Sequence, residues 1–296
     1  MTKLLVPFLI LLPAAPLLGA VTHVRIRCDN GHVIIAGSAR DTVAARTMRA
    51  RAAGIEVTAN DGETISVPRT AGIEWLSSGR ATATVHDVAS VRIDAAGGEI
   101  RVERIAGNID GKTANANVIA RDVGGSVVLA TGNGNIELRG VRGLVEVTTG
   151  NGNTTIANAA SGVRVTSING ATNISCVAGG VSVQDTSGRT AVSSVAGDVD
   201  LFTALGAIRY DGVLQPNRAY RIRTLDGAIT LAYAAGSSGF SAQLASDAAL
   251  ITIDRTPAAK QRRVLVRAGD ERARVVLDAV GGRVELLTRS PMPACR

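Results

Sequence analysis

Aromatic side chains are nearly missing from this sequence. One Trp, three Tyr and three Phe make up 2% of 296 residues, while 46% of the chain is hydrophobic. Large rings normally fill the wide core of a domain this size, so their scarcity excludes a thick core and favours a thin one packed from Val, Ile, Leu and Ala. Histidine is equally scarce. His23, His32 and His86 all belong to the N-terminal region and stand too far apart in sequence to suggest a metal centre or a catalytic triad. The three cysteines, Cys28, Cys176 and Cys295, match no zinc or haem spacing. They leave open one disulfide with an odd thiol, or three unpaired cysteines.

Long apolar runs are absent after the first twenty residues. Those twenty begin with Lys3, continue as an apolar stretch from Leu4 to Leu18 broken by Pro7, Pro13 and Pro16, and end on Gly19 and Ala20. The stretch is short of the roughly 20 residues a membrane span needs, and it has the layout of a secretory signal cleaved near Ala20. Val21 stands where a lipid anchor would require Cys. The expected organisation is therefore a signal peptide over 1–20, one domain over 21–290 and a tail over 291–296, with no transmembrane span in the mature chain.

Glycine, by contrast, is periodic. Stepping by nine from Gly98 gives Gly107, Ala116, Gly125, Gly134, Gly143, Gly152, Ser161, Gly170, Gly179, Gly188, Gly197 and Gly206. Eleven of these thirteen positions are Gly, where the overall content of 33 would place one or two. The third and fifth positions of each half, counting Gly as one, are apolar: Ile136 and Leu138, Val145 and Val147, Val163 and Val165, Val181 and Val183. Alternation of this kind is that of a half-buried strand.

Alternate halves differ, which doubles the period to 18. One half is apolar at position eight (Ile105, Val123, Val141, Ala159, Val177, Val195). The other ends in Asn115, Asn133, Asn151 and Asn169, with Thr113, Thr131, Thr149 and Ser167 two residues earlier. Stacked coils of two short parallel strands satisfy this pattern, and only stacking gives each coil a core. The four Asn then form a hydrogen-bonded ladder. The predicted fold is an all-β parallel β-solenoid of 18 residues per coil, most regular over 98–214. Its phrase recurs at Gly31, Ala89, Gly227 and Gly282. The segment Arg40–Ala53 reads either as a short helix or as an inserted loop, and Trp75 as a cap over the first coil.

The phrases LATGNGNIELRGVRGLVEVTTGNGNTTI, VAGGVSVQDTSG and RIRTLDGAITL resemble the repeats of the bacterial adhesin-like β-solenoid family, a domain of unknown function. The resemblance runs from about Val21 to Leu287. It implies a secreted surface protein and carries no catalytic residue with it.

Other chemistry is sparse. The calcium β-roll places an Asp in every repeat, and this chain has no such column. Asp185, Asp198 and Asp200 form the best candidate carboxylate cluster for a polysaccharide-degrading β-helix, against which stands a solvated strand face. No GxSxG nucleophile context occurs. Charge divides unevenly: residues 21–97 carry 9 Arg against 8 acids, 98–206 carry 8 Arg or Lys against 9, and 207–296 carry 14 against 8. The basic end gathers Lys260, Arg262, Arg263, Arg267, Arg272 and Arg274, either as ordinary outward strand residues or as a binding patch. For an exported protein such a patch suits anionic envelope polysaccharide or lipid, or another envelope protein. Nucleic acid is not expected, since base-stacking rings are scarce. The overall expectation is a non-enzymatic, adhesin-like envelope protein without metal or cofactor, the alternatives being the polysaccharide-degrading enzyme and a self-assembling filament.

Overall fold

Val and Ile at alternate positions, broken by Gly every nine residues, leave the chain one way to bury its apolar side: short strands that bend at each Gly and stack. A computed structural model describes residues 21–51, 54–234, 237–258, 260–290 and 295; the expected signal segment lies outside them. The described residues are all-β, and their strands join in one open, mostly parallel sheet wound as a solenoid. Coil partners are offset by 18 residues: Ile136 lies opposite Thr154 and Val118, and Val145 opposite Val163 and Val127. One continuous apolar core runs from Val21 to Leu286.

Both corners are built on glycine for steric reasons. A Cβ on Gly152 would lie 2.1 Å from the Gly134 carbonyl oxygen, and the φ of Gly152 is 143°. At the opposite corner a Cβ on Gly143 would lie 2.5 Å from the Gly125 carbonyl carbon. These approaches explain the nine-residue period: each half-coil turns where the backbone of the neighbouring coil leaves no room for a side chain. A third column, Arg104, Asp122, Gly140, Asn158, Cys176 and Ser194, holds left-handed φ values of 54–68° just before the apolar eighth position. Short polar side chains and Gly tolerate that conformation best.

Chain order and stacking order part company at both ends. The coil 23–38 sits between coil 54–68 and coil 72–86, so the second coil in the chain is the outermost. At the far end, coil 273–289 is inserted between coil 219–234 and coil 240–253. Each outermost coil is then covered by an antiparallel strand, Met48–Arg51 on Gly54–Thr58 and Arg263–Ala268 on Phe240–Ser246.

The segment Arg40–Ala53 is thus a loop that ends in the first of these edge strands, with Ala44 bridged antiparallel to Ser66; among its described residues none is helical. Trp75 is no cap. It is fully buried between Ile26 and Ile93, with two coils stacked beyond it. Cys176 and Cys295 form a disulfide that fastens the C-terminus to the middle of the solenoid, while Cys28 is a buried free thiol.

Candidate functional site

The outer faces come first, because alternation sends every even position of the first strand of a coil to solvent. In one column Glu56, Arg25, Glu74, Arg92 and Asp110 lie opposite one another on successive coils. Arg25 Nε donates to Glu74 at 2.6 Å, and His23 stands 3.5 Å from the same carboxylate. Opposite charges on facing strands favour this register. Asp87 is likewise gripped by Arg104 and His86, whose hydrogen bonds hold its carboxyl well below the usual range. Some charged groups of this half are thus paired across coils, Arg25 with Glu74 and Arg104 with Asp87, while others such as Arg27, Arg49 and Arg80 have no carboxylate within salt-bridge distance among the described residues. Each of the three His has a partner of its own, His32 meeting Thr84 at 3.4 Å, and no three His, Cys, Asp or Glu side chains converge as a metal site among the described residues.

The polar corner carries two ladders. Nδ2 of Asn133, Asn151 and Asn169 donates to Oδ1 of Asn115, Asn133 and Asn151 at 2.8–2.9 Å. A second row, two residues on, has Asn117, Asn135 and Asn153 accepting from the backbone N–H of Asn135, Asn153 and Ala171. The sequence signal for this second row was the repeated NGN.

Of the candidate carboxylates, Asp198 and Asp200 share a groove and Asp185 does not join them. Asp185 faces inward and is 2% exposed, in a column with Ser167 and Thr203. Asp198 and Asp200 lie outside, in a groove of 450 Å³ shared with Arg164 and Arg221. Asp198 accepts the Ala219 N–H at 2.9 Å, and Asp200 stands 3.5 and 3.7 Å from Arg223 and Arg221. Strand parity causes the split: 185 is odd and the other two are even, while Ser182, not Asp185, is the residue opposite Asp200.

All six members of the C-terminal basic set are exposed and lie at one end of the solenoid. Arg263 and Arg267 sit on the terminal antiparallel strand, Lys260 and Arg262 in the turn before it, and Arg272 and Arg274 at the start of Ala273–Ala279. Ser241 lies between Arg267 and Arg274, one strand spacing from each. That puts the two guanidinium-bearing positions about 10 Å apart on one face. Arg267 is 3.6 Å from Glu271 and Arg272 is 2.8 Å from Asp270. Lys260, Arg262, Arg263 and Arg274 have no carboxylate within salt-bridge distance among the described residues.

Next to Arg263, small Ala245 opens a groove of 580 Å³ walled by Leu265, Val276 and Val280, with Asp247 and Asp278 at its rim. A groove of 650 Å³ near the other end, lined by Arg27, Asp29, Asp94 and Lys112 among others, is balanced in charge. The C-terminal groove itself carries one Arg against two Asp and the other two grooves are balanced, so the excess of cations at that end lies on the strand and turn around the groove. No helix of the described residues is long and apolar enough to cross a membrane.

Comparison of the chain with protein-family models, with curated proteins and with solved structures finds no match.

Proposed function

We propose that this chain is a non-enzymatic, exported solenoid of the adhesin-like kind, which holds an anionic envelope polymer or lipid surface at its C-terminal end. The observation that carries this reading is the gathering of six cations at one end, four of them without a carboxylate partner among the described residues. Elsewhere the charge is close to balanced, 9 Arg against 8 acids over 21–97 and 8 Arg or Lys against 9 acids over 98–206. The Cys176–Cys295 disulfide supports export, because such bonds persist in oxidising compartments. The long face of stacked coils serves as a spacer and the end as the contact. Against the filament alternative stand the antiparallel terminal strands, which bear Arg49 and Arg51 at one end and Arg263 and Arg267 at the other. Charged edge strands oppose end-to-end pairing.

The test is retention of the purified protein on acidic polysaccharide and on anionic vesicles at several salt concentrations. Arg263→Glu, Arg267→Glu and Arg274→Glu together should abolish retention, and Arg164→Glu on the middle coils should leave it intact. Equal retention of both variants, or retention that is insensitive to salt, would refute the reading. Hydrolysis of the polysaccharide that is lost in Asp198→Asn with Asp200→Asn would establish the enzymatic alternative instead.

A further inference from the structure

The Asn corner hides a polar interior. Thr131, Thr149, Ser167, Asp185 and Thr203 follow one another up successive coils on the inward side of the first strand. Thr154, Thr172 and Thr190 do the same at the start of the second. The eight side chains are at most 5% exposed, and in each coil the two rows meet across the same bend. Thr149, Thr154, Ser167, Thr172 and Thr203 all have a hydroxyl without a hydrogen-bond partner, and so has Oδ1 of Asp185. Its other oxygen meets the Thr190 hydroxyl at 3.5 Å, and the Thr186 and Ser187 N–H groups and the Ser167 hydroxyl lie near the carboxylate. Gly188 leaves room for the carboxylate, since a Cβ there would lie 2.9 Å from Oδ2.

Asp185 is an anomaly in this column. Every coil position equivalent to it from 113 to 224 is Thr or Ser, which fit the bend and carry no charge. Burial pushes the Asp185 carboxyl above its ordinary range, although the Ser187 N–H and the Thr190 hydroxyl pull the other way. The groups around it, the Ser167, Thr190 and Thr203 hydroxyls and the Thr186 and Ser187 N–H groups, carry no charge. A buried carboxylate with no counter-charge is costly.

We propose that the corner binds a sodium-sized monovalent cation between Asp185 and the hydroxyls of the adjoining coils. The donor set fits: one carboxylate balances one positive charge, and all other ligands are hard, neutral oxygens. The Asp185 and Thr190 oxygens stand 3.5 Å apart, a separation that two ligands of one hard cation can have with bonds of about 2.4 Å. Calcium needs more carboxylates than this bend supplies. Water satisfies hydroxyls but leaves the carboxylate without a counter-charge. The site would lock adjoining coils together from inside.

The test compares urea unfolding of the full chain at pH 8 in sodium chloride and in N-methylglucamine chloride of equal ionic strength. Above the dissociation constant, each tenfold rise in sodium should raise the folded-to-unfolded ratio tenfold, as one-site linkage requires. Asp185→Thr, which restores the residue found at 131, 149 and 203, should remove the dependence and still fold. Identical midpoints in the two salts would overturn the proposal, and so would a sodium effect that persists in Asp185→Thr. A response to calcium without one to sodium would overturn the monovalent assignment. Stabilisation by acid alone, independent of the cation, would show a merely protonated Asp185 and overturn it too.

Discussion

Breaking the Cys176–Cys295 bond should cost this solenoid more than any single side chain on its surface. The two cysteines are 119 residues apart in sequence, so the bond closes a loop of about 120 residues in the unfolded chain. The loop-closure expression gives an entropy of about −16 cal/mol/K for that length, or about 4.9 kcal/mol at 25 °C. An unfolding entropy of about 2.1 cal/mol/K per residue over roughly 270 residues converts this to a fall in Tm of about 9 °C. The loss should be concentrated at the C-terminal end. Coils interact with their neighbours only, so a solenoid frays from an unclamped terminus. The assay is calorimetric or fluorescence melting of the oxidised protein against Cys176→Ser with Cys295→Ser, combined with amide exchange. The variant should lose protection first between 219 and 289 and keep it over 91–159. Equal melting temperatures, or a loss spread evenly along the coils, would refute the reasoning.

Four further outcomes follow from particular contacts. Gly152→Ala forces a Cβ within 2.1 Å of a carbonyl oxygen at a φ of 143° and should destabilise by at least about 3 kcal/mol in urea titration. Asn151→Ala removes two exposed ladder bonds, one given and one received, and should cost only about 1 kcal/mol. A loss as large as that of Gly152→Ala would mean that the ladder, not the backbone approach, sets the corner. Asp185 has its folded pKa raised by burial, so its neutral form is the one the fold prefers. Its contribution is complete below the unfolded carboxylate value near 4 and is lost as pH rises through the folded value. In sodium-free N-methylglucamine buffer, wild type should therefore lose stability against Asp185→Asn as pH rises above about 4, and parallel curves would contradict this. Cys28 is buried, so a thiol reagent should find no reactive thiol in the native oxidised protein, one after unfolding and three after reduction.

The 18-residue period was legible because stacking imposes it twice over. Strand alternation fixes which residues are apolar, and the approach of coil to coil fixes where only Gly fits. Parity at the corner was harder to see. Thr113, Thr131, Thr149 and Ser167 are polar and stand beside exposed Asn, so they pass for surface residues. Yet they lie an even number of residues from the apolar positions and the strand runs on without a break, so they face inward. The same count moves Asp185 from the surface to the core and takes it away from Asp198 and Asp200. Trp75 obeys the rule too, two residues from Ile73 on the inward side. The disulfide had no such signal. Cys176 occupies a left-handed position filled by Gly, Asn or Ser in neighbouring coils, and three cysteines permit three pairings.

Stacking order at the two ends was beyond reach for a related reason. Every coil offers its neighbours the same backbone edges and a similar apolar face, so nothing local tells coil 23–38 to accept coil 72–86 on one side and coil 54–68 on the other. What distinguishes the observed order is its effect on the termini. A chain stacked in sequence would leave its first and last strands at the open edges, held on one side only. With the observed order, the strands His23–Arg27 and Val284–Arg289, which lie nearest the two ends of the described solenoid, are paired on both sides. The exposed edges fall instead to internal hairpins, which cannot fray from a free end and which carry arginines on their outer face. The cationic C-terminal end is thus also the best-fastened end, with an inserted coil, a hairpin and a disulfide behind it. For the proposed contact with a polymer, that arrangement would pass load from the end into the stacked coils.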